Sequence, residues 1–256
     1  MQMNNTDIEN KKIPLSNRMQ AILRMLQSEV VEHGMIDCLA DIGCDHAFVS
    51  MACIENHLAD HVIAMDVRKG PLEIARTHIK EYGFEKSVET RMSDGFEALK
   101  QKEASWAVLA GMGGELMRRI LENGKNHLMS GIGLILQPQS EIPVVRMYLQ
   151  EQNYIIVDED FLQEEGKFYT IIKAKKRTDK LPDNRMNELE LQYGSILLKK
   201  KNPVFLEYLY DMRNKMHELQ KRLEAQQTDS SKRRYEELKQ ELCMIQQAID
   251  VCVKGQ

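Results

Sequence analysis

The stretch Leu39-Ala40-Asp41-Ile42-Gly43-Cys44-Asp45-His46-Ala47-Phe48 constrains the fold of this chain more than any other. An apolar run reaches an acid, turns through a glycine and enters a helix-forming segment. A strand end, a tight loop and a helix N-terminus therefore fall within a few residues. In open parallel sheets, ligands bind outside the carboxyl ends of the strands, where such a turn lies. A glycine there lets the backbone approach a ligand, because no Cβ intervenes.

The charge of the turn narrows the ligand. A dinucleotide site needs G-x-G-x-x-G so that the pyrophosphate lies against the helix N-terminus. Here Cys44, Asp45, His46 and Ala47 follow Gly43, and the acids Asp41 and Asp45 would repel a pyrophosphate. They suit a ligand carrying an ammonium and a sulfonium, the charges of S-adenosylmethionine. The loop alone leaves open a structural βα turn that binds nothing.

The rest of the chain alternates. Strands are expected at 35–40, 61–65, 88–92, 106–110 and 133–136, and a final strand pair at 154–161 and 167–174 turns at 164–166. Helices are expected at 14–33 with Ser16 as N-cap, at 47–58, from Pro71 to about Tyr82, at 115–121 and at 144–152. In the first helix, Arg18 and Arg24 fall on the polar side and are expected to be exposed. This order predicts an α/β, doubly wound, Rossmann-like sheet of about seven strands.

In that frame the candidate ligand residues share one sheet edge. Asp41 and Gly43 follow the first strand, Asp66 ends the second, Asp94 follows the third, and Gly111, Met112, Gly113 and Gly114 follow the fourth. Asp66 stands 23 residues after Gly43, where an acid accepts from ribose hydroxyls. Asp94 would accept from an adenine amino group, and the glycines give the backbone room beside a methionine moiety. Any one acid could be only a helix cap; the four positions in order indicate an adenosine-type cofactor.

Composition fits a soluble globular chain, at 43% hydrophobic and 29% charged residues. No apolar run approaches the ~18–20 residues of a membrane span, and the polar N-terminal segment lacks a signal-peptide core. Cys38, Cys44, Cys53, Cys243 and Cys252 are odd in number and lack C-x-x-C spacing. They predict reduced thiols in the cytoplasm, with no disulfide framework and no metal. Cys44 and Cys53 read as small packed residues. Residues 173–256 hold 18 basic and 13 acidic side chains, against 17 and 26 in residues 1–172. Such asymmetry suits a nucleic-acid-binding appendage, or a solvated helical surface.

After about Pro182, Phe205, Leu209, Met212, Met216, Leu219 and Leu223 recur at heptad-like spacing, as do Tyr235, Leu238, Leu242, Ile245, Ile249 and Cys252. The short link 226–231 predicts an antiparallel hairpin, with Thr228 or Asp229 as N-cap. Two domains are expected: 1–176, binding the cofactor, and 177–256, a helical antiparallel coiled coil. A seam satisfied within one hairpin predicts a monomer and leaves a dimer open. Lys199, Lys200, Lys201, Lys221, Arg222, Arg233 and Arg234 would ride outside the seam, for solubility or for phosphate contact.

The sequence resembles one family, the bacterial tRNA (adenine-22-N1)-methyltransferases (TrmK). DIGCDHAF at 41–48, SDGFEAL at 93–99, AGMGG at 110–114, LQPQ at 136–139 and the segment Tyr193-Gly194-Ser195-Ile196-Leu197-Leu198-Lys199 carry the resemblance. Arg18 in Leu15-Ser16-Asn17-Arg18-Met19 matches the family's L-S-x-R-L opening. Phe48-Val49-Ser50 departs from its Tyr-Leu-Pro, a change expected to leave the cofactor contacts alone. The resemblance implies a class I methyltransferase that moves a methyl group from S-adenosylmethionine to N1 of an adenine in the tRNA D-arm. It further implies that Asp41, Gly43, Asp66, Asp94 and Gly111–Gly114 line the cofactor site and that the C-terminal part is a coiled-coil extension. Arg18 becomes a candidate RNA contact.

The chemistry agrees with what the chain lacks. Neutral adenine N1 has a lone pair and no proton, so no general base is required. An N/D-P-P-Y/F signature, which grips an exocyclic amine, is replaced by Gly111-Met112-Gly113. His46 is the titratable side chain near the loop that would face substrate, unless it is structural. Asp45 caps the following helix or orients the adenine, and capping is the favoured expectation. Two rival readings stand beside this one: a methyltransferase for another RNA or a small molecule, and a non-catalytic binding protein on the same scaffold.

Overall fold

The computed structural model describes residues 12–178, 185–226 and 228–254. The N-terminal segment through Lys11, Pro182 at the start of the expected appendage, and Gln227 in the expected hairpin link lie outside the described residues.

Helix α1 (Asn17–His33) starts where Ser16 accepts from the Met19 N–H and stops at Gly34, whose N–H donates to Val30 O. Then β1 (Ile36–Ile42), α2 (Phe48–Glu55), β2 (Ala59–Asp66), α3 (Lys69–Glu81) and β3 (Val88–Met92) follow. The second half comprises β4 (Trp106–Met112), α4 (Gly114–Asn123), α5 (Lys125–Met129), β5 (Gly133–Pro138), α6 (Ile142–Glu151), β6 (Tyr154–Glu164) and β7 (Lys167–Lys176). The strands form one seven-stranded sheet in the order β3-β2-β1-β4-β5-β7-β6, with β7 antiparallel to both neighbours.

Alternation along the central strands divides the core. Leu39, Val62, Val108 and Ile135 face α1, α2 and α3. Ala40, Ile63, Leu109 and Leu136 face α4, α5 and α6. Strands covered on both faces read as near-continuous apolar runs, which is why they were legible as strands. β1 and β4 pair in parallel, Leu39 with Trp106 through Ile42 with Leu109. The chain order reverses at this pair, opening a crevice at their carboxyl ends. The β4–β5 register slips between Ala110 and Met112, and the extra residue is Gly111, at φ +78°.

Beyond β7 come α7 (Glu188–Tyr193), α8 (Leu197–Lys200), α9 (Pro203–Glu224) and α10 (Asp229–Lys254). The first two were not expected; each is too short to show a period. Asn187 and Glu190 form a capping box at α7, and Thr228 accepts from the Ser231 N–H at the start of α10. The last two helices run antiparallel, with Arg213 donating to Gln246 and Tyr235 to Glu224. Their seam is not uniformly covered. Leu238, Leu242, Ile245 and Ile249 are buried, as are Phe205 and Leu209, whereas Leu219 is 40% exposed. Near the sheet, Phe161 and Phe168 of β6 and β7 fill in beside Phe205 and Tyr208; farther out, among the described residues, the two helices pack on each other. Among the described residues no helix is long and apolar enough to cross a membrane.

Candidate active site at the crevice between β1 and β4

The turn after β1, the Gly111 bulge and the loop after β5 converge at the carboxyl edge, with the start of α1 beside them. They enclose a cavity of about 360 Å³, within the range of small-ligand sites. Its walls come from α1 (Arg18, Met19, Ile22), the β1 end and turn (Asp41, Gly43, Cys44, Asp45, His46) and α2 (Phe48, Val49). Arg68 beyond β2, Ala110, Gly111 and Gln139 complete it.

The turn is fixed to the neighbouring strand, because the N–H groups of Gly43 and Cys44 both donate to Met65 O, at 2.8 and 2.9 Å. Gly43 has φ +77°, and Asp45 and Ala47 also lie in the left-handed region, at +49° and +58°. Non-glycine residues pay roughly 1 kcal/mol or more for that conformation, so it persists only where the surroundings impose it. Cys44 and Cys53 are buried as expected, and burial pushes both thiols up.

Asp41 is buried at the end of β1. Its carboxylate accepts from the Ser50 hydroxyl at 2.5 Å and from the Ser50 backbone N–H. Burial pushes its pKa up to about 6, the Ser50 bonds pull it back, and Asp66 and Asp45 push it further up. Asp41 thus takes an N-terminal amide of α2. This corrects two expectations. Asp45 does not cap α2: the capping position is Ala47, with no side-chain acceptor, and the largely exposed Asp45 carboxylate lies 3.6 Å from His46 Nε2. And Ser50, where the family pattern has proline, does touch the site. A hydroxyl on the first turn of a helix was the available signal.

Arg18 is the third correction. Its helix face packs beside the end of β5, so it is half-buried on the cavity wall, donating to Gln137 Oε1 at 3.4 Å with its guanidinium 5.2 Å from the Tyr169 ring centre. Gln137 is fully buried; the same Oε1 accepts from Gly111 N–H at 3.0 Å, and its Nε2 donates to Pro138 O. Arg24 is exposed, paired with Asp160. His46 stacks on Phe48 and His78, and its buried Nδ1 has no partner among the described residues.

The structure therefore brings Asp41, Gly43, Gly111, Asp45, His46 and Arg18 together. The other cofactor candidates are not among the residues that line this cavity. Asp66 is buried at the end of β2 and accepts from Arg68 N–H at 2.8 Å. Asp94 is exposed on a loop that Ser93 braces through Gly95 O and Ala98 N–H. Met112 reaches toward Gly43, its Cε 3.3 Å from where a Cβ would stand. Gly113 and Gly114 open α4, where Gly114 donates to Ser140 O and a Cβ would lie 2.5 Å from that oxygen. Of the expected RNA-binding cations, Lys200 is tied to Asp158 and to Glu159 O, Lys221 to Glu218, and Arg234 to Glu237 and Glu241. Lys199, Lys201, Arg222 and Arg233 are exposed and unpaired among the described residues.

A seven-stranded sheet in this order, with an acid-flanked glycine turn after β1 and an acid closing β2, defines a Rossmann-like α/β methyltransferase. Comparison with known proteins narrows the class. The sequence profile of the tRNA (adenine(22)-N(1))-methyltransferases matches residues 39–247. The Bacillus subtilis tRNA (adenine(22)-N(1))-methyltransferase is 31% identical over 93% of this chain and 98% of its own. The crystal structure of B. subtilis TrmK superposes with a TM-score of 0.78 at 29% identity, covering 93% of this chain and 100% of that one. A Streptococcus pneumoniae homologue crystallised with S-adenosyl-L-methionine gives 0.76 at 26% identity, covering 92% and 100%. The chain belongs to the tRNA (adenine(22)-N(1))-methyltransferase family.

Proposed function

We propose that this protein methylates N1 of adenine 22, in the D-arm of tRNA, with S-adenosylmethionine as methyl donor. The observation that carries the reading is the cavity where Asp41, Gly43 and Gly111 converge, in a chain of this family. Its donor set fits the cofactor: buried and exposed carboxylates answer an ammonium and a sulfonium, and the two left-handed glycines leave the backbone open to the ligand. S-adenosylmethionine, when bound, supplies the activated methyl group.

The chain's own residues position and polarise. Asp41 offers charge to the ammonium side, Asp66 accepts from ribose hydroxyls, and Asp94 accepts from the cofactor's adenine amino group. Gly111, Met112, Gly113 and Gly114 form the backbone wall beside the methionine portion. Asp45, freed from capping, holds negative charge where N1-methylation leaves positive charge on the base, and His46 stacks beside it. No residue needs to take a proton, since N1 attacks through its lone pair. Alignment of nucleophile and methyl group can account for roughly 7–11 kcal/mol of the barrier in favourable cases. Unstacking the target base costs a few kcal/mol.

The reading extends to the rest of the chain. Residues 1–176 form the cofactor-binding domain, and residues 177–256 an antiparallel coiled coil that holds tRNA through Lys199, Lys200, Lys201, Lys221, Arg222, Arg233 and Arg234. Arg18 contacts RNA at the cavity. The protein acts as a cytoplasmic monomer. Incubation with S-adenosylmethionine and unmodified tRNA, followed by nucleoside mass spectrometry, tests the core of this. N1-methyladenosine that disappears when adenine 22 is replaced is the expected result. Cofactor binding without methylated tRNA would move the reaction to another acceptor.

A further inference from the structure

Two glutamines flank Pro138, and the structure uses them differently. Gln137 is spent internally, as described. Gln139 is exposed on the cavity wall, and its side-chain amide has no partner among the described residues. Its backbone is nevertheless held, because Gln139 N–H donates to Met112 O at 2.9 Å. The next residue, Ser140, accepts from Gly114. A free amide is thus presented from a fixed loop.

Its direction follows from Gly111. A Cβ there would stand 3.9 Å from Gln139 Nε2 and 4.0 Å from Arg18 Nη1. The missing side chain leaves a slot over bare backbone, with an amide and a guanidinium at its sides. Arg18 offers donors only, and Asp41 and Asp45 as carboxylates offer acceptors only. Among the side chains on this wall, Gln139 alone presents a donor and an acceptor side by side in one plane.

An adenine that attacks through N1 restricts what such an amide can read. The N1 lone pair forms the new bond, so in the reactive complex it cannot accept from Nε2. The amide is satisfied in full only on the opposite edge, with Oε1 accepting from the N6 amino group and Nε2 donating to N7. Glutamine pairs with adenine in this way in direct base readout. Guanine presents O6 and N7, two acceptors, and would set O6 against Oε1. We propose that Gln139 is the specificity-determining residue that reads the N6/N7 edge of the target adenine and leaves N1 free toward the methyl donor. The inference rests on the adenine-N1 reading given above.

The test uses the full chain and tRNA assembled from synthetic fragments with adenine or 7-deazaadenine at the target position. The analogue keeps N1 and N6 and lacks the N7 acceptor. With the parent protein, kcat/KM should fall on the analogue. Gln139→Ala should lower kcat/KM on normal tRNA by roughly 10- to 100-fold, the discrimination of one bidentate pair, and should show no further loss on the analogue. Gln139→Glu, which keeps the acceptor and loses the donor, should behave alike. Affinity for S-adenosylhomocysteine, measured by calorimetry, should change much less than kcat/KM in both variants, and its retention also shows that they fold. Parent-like activity in Gln139→Ala, an undiminished analogue effect in it, or a cofactor affinity that falls as far as activity would each overturn the proposal. Absence of N1-methyladenosine with the parent protein would instead overturn the adenine-N1 reading, and this inference with it.

Discussion

Arg146 of α6 and Glu159 of β6 form an ion pair that is almost wholly buried, with Nη2 and Nε 2.8 and 2.9 Å from Oε1. Each partner also holds the chain beyond the sheet. Arg146 Nη1 donates to the carbonyls of Leu191 and Gln192 at 2.9 and 3.0 Å, while Glu159 Oε2 accepts from the N–H groups of Ile196 and Leu197. Gly194 lies between these contacts at φ +89°, and a Cβ there would overlap the Glu159 carboxylate. The glycine in the family segment 193–199 is thereby explained. The C-terminal helices are seated on the sheet by a buried charge pair as well as by apolar contact.

Removing one partner should therefore be costly. Arg146→Ala leaves a buried carboxylate without its cation, and breaking such pairs destabilises by about 3–5 kcal/mol. Urea unfolding should show that loss, and Gly194→Ala should move stability in the same direction. A variant within about 1 kcal/mol of the parent would mean that water replaces the pair.

Asp41 makes the site sensitive to pH. Its pKa, pushed up to about 6 by burial, exceeds that of an unfolded aspartate, about 3.9. The folded protein then holds an extra proton between those values, so Asp41's contribution to stability declines as pH rises from about 4 to 6. Affinity for the cationic cofactor should run the other way, rising through about pH 6 and levelling above it. Calorimetric titration with S-adenosylmethionine between pH 5 and 8 checks the sign. Asp41→Asn should flatten that step and weaken binding about tenfold or more, as expected for a lost bond to a charged group.

Ser50 should set where that step falls. Its hydroxyl and its N–H both favour the ionised form of Asp41. Ser50→Ala removes one bond and Ser50→Pro removes both, so the midpoint of the affinity profile should move upward in that order. Affinity at pH 8 should change less than affinity at pH 6. An unmoved midpoint in both variants would show that Ser50 serves packing alone.

Much of this architecture was legible because both-face burial writes apolar runs into β1, β2, β4 and β5, and because acids and glycines end them. Apolar spacing gives the covering face of α1 but not the place of Arg18. Periodicity tells which side of a helix is polar, not that this side meets the Gln137 amide across 119 residues of sequence. Asp45 failed as a cap for a similar reason: its left-handed backbone sends the turn onward, and Asp41 reaches the helix N-terminus from the strand. The partial exposure of Leu219 was also invisible, since a heptad repeat does not say how far along a two-helix hairpin a third layer extends.

The C-terminal cations divide into two sets whose behaviour should differ. Lys200, Lys221 and Arg234 are each bound to a carboxylate, so binding a phosphate would require breaking an existing pair. Lys199, Lys201, Arg222 and Arg233 carry no such partner among the described residues. Each phosphate contact on duplex RNA or DNA releases counterions, and loss of one lowers the slope of log affinity against log salt by about 0.9 on B-DNA and somewhat less on single strands. Replacing the four unpaired residues by glutamine should flatten the salt dependence of tRNA binding by one to a few such steps. Replacing the three paired ones should change it less. Fluorescence titration of labelled tRNA at several salt concentrations measures both slopes. Equal slopes in the two variants and the parent would place the tRNA-binding charge outside these residues.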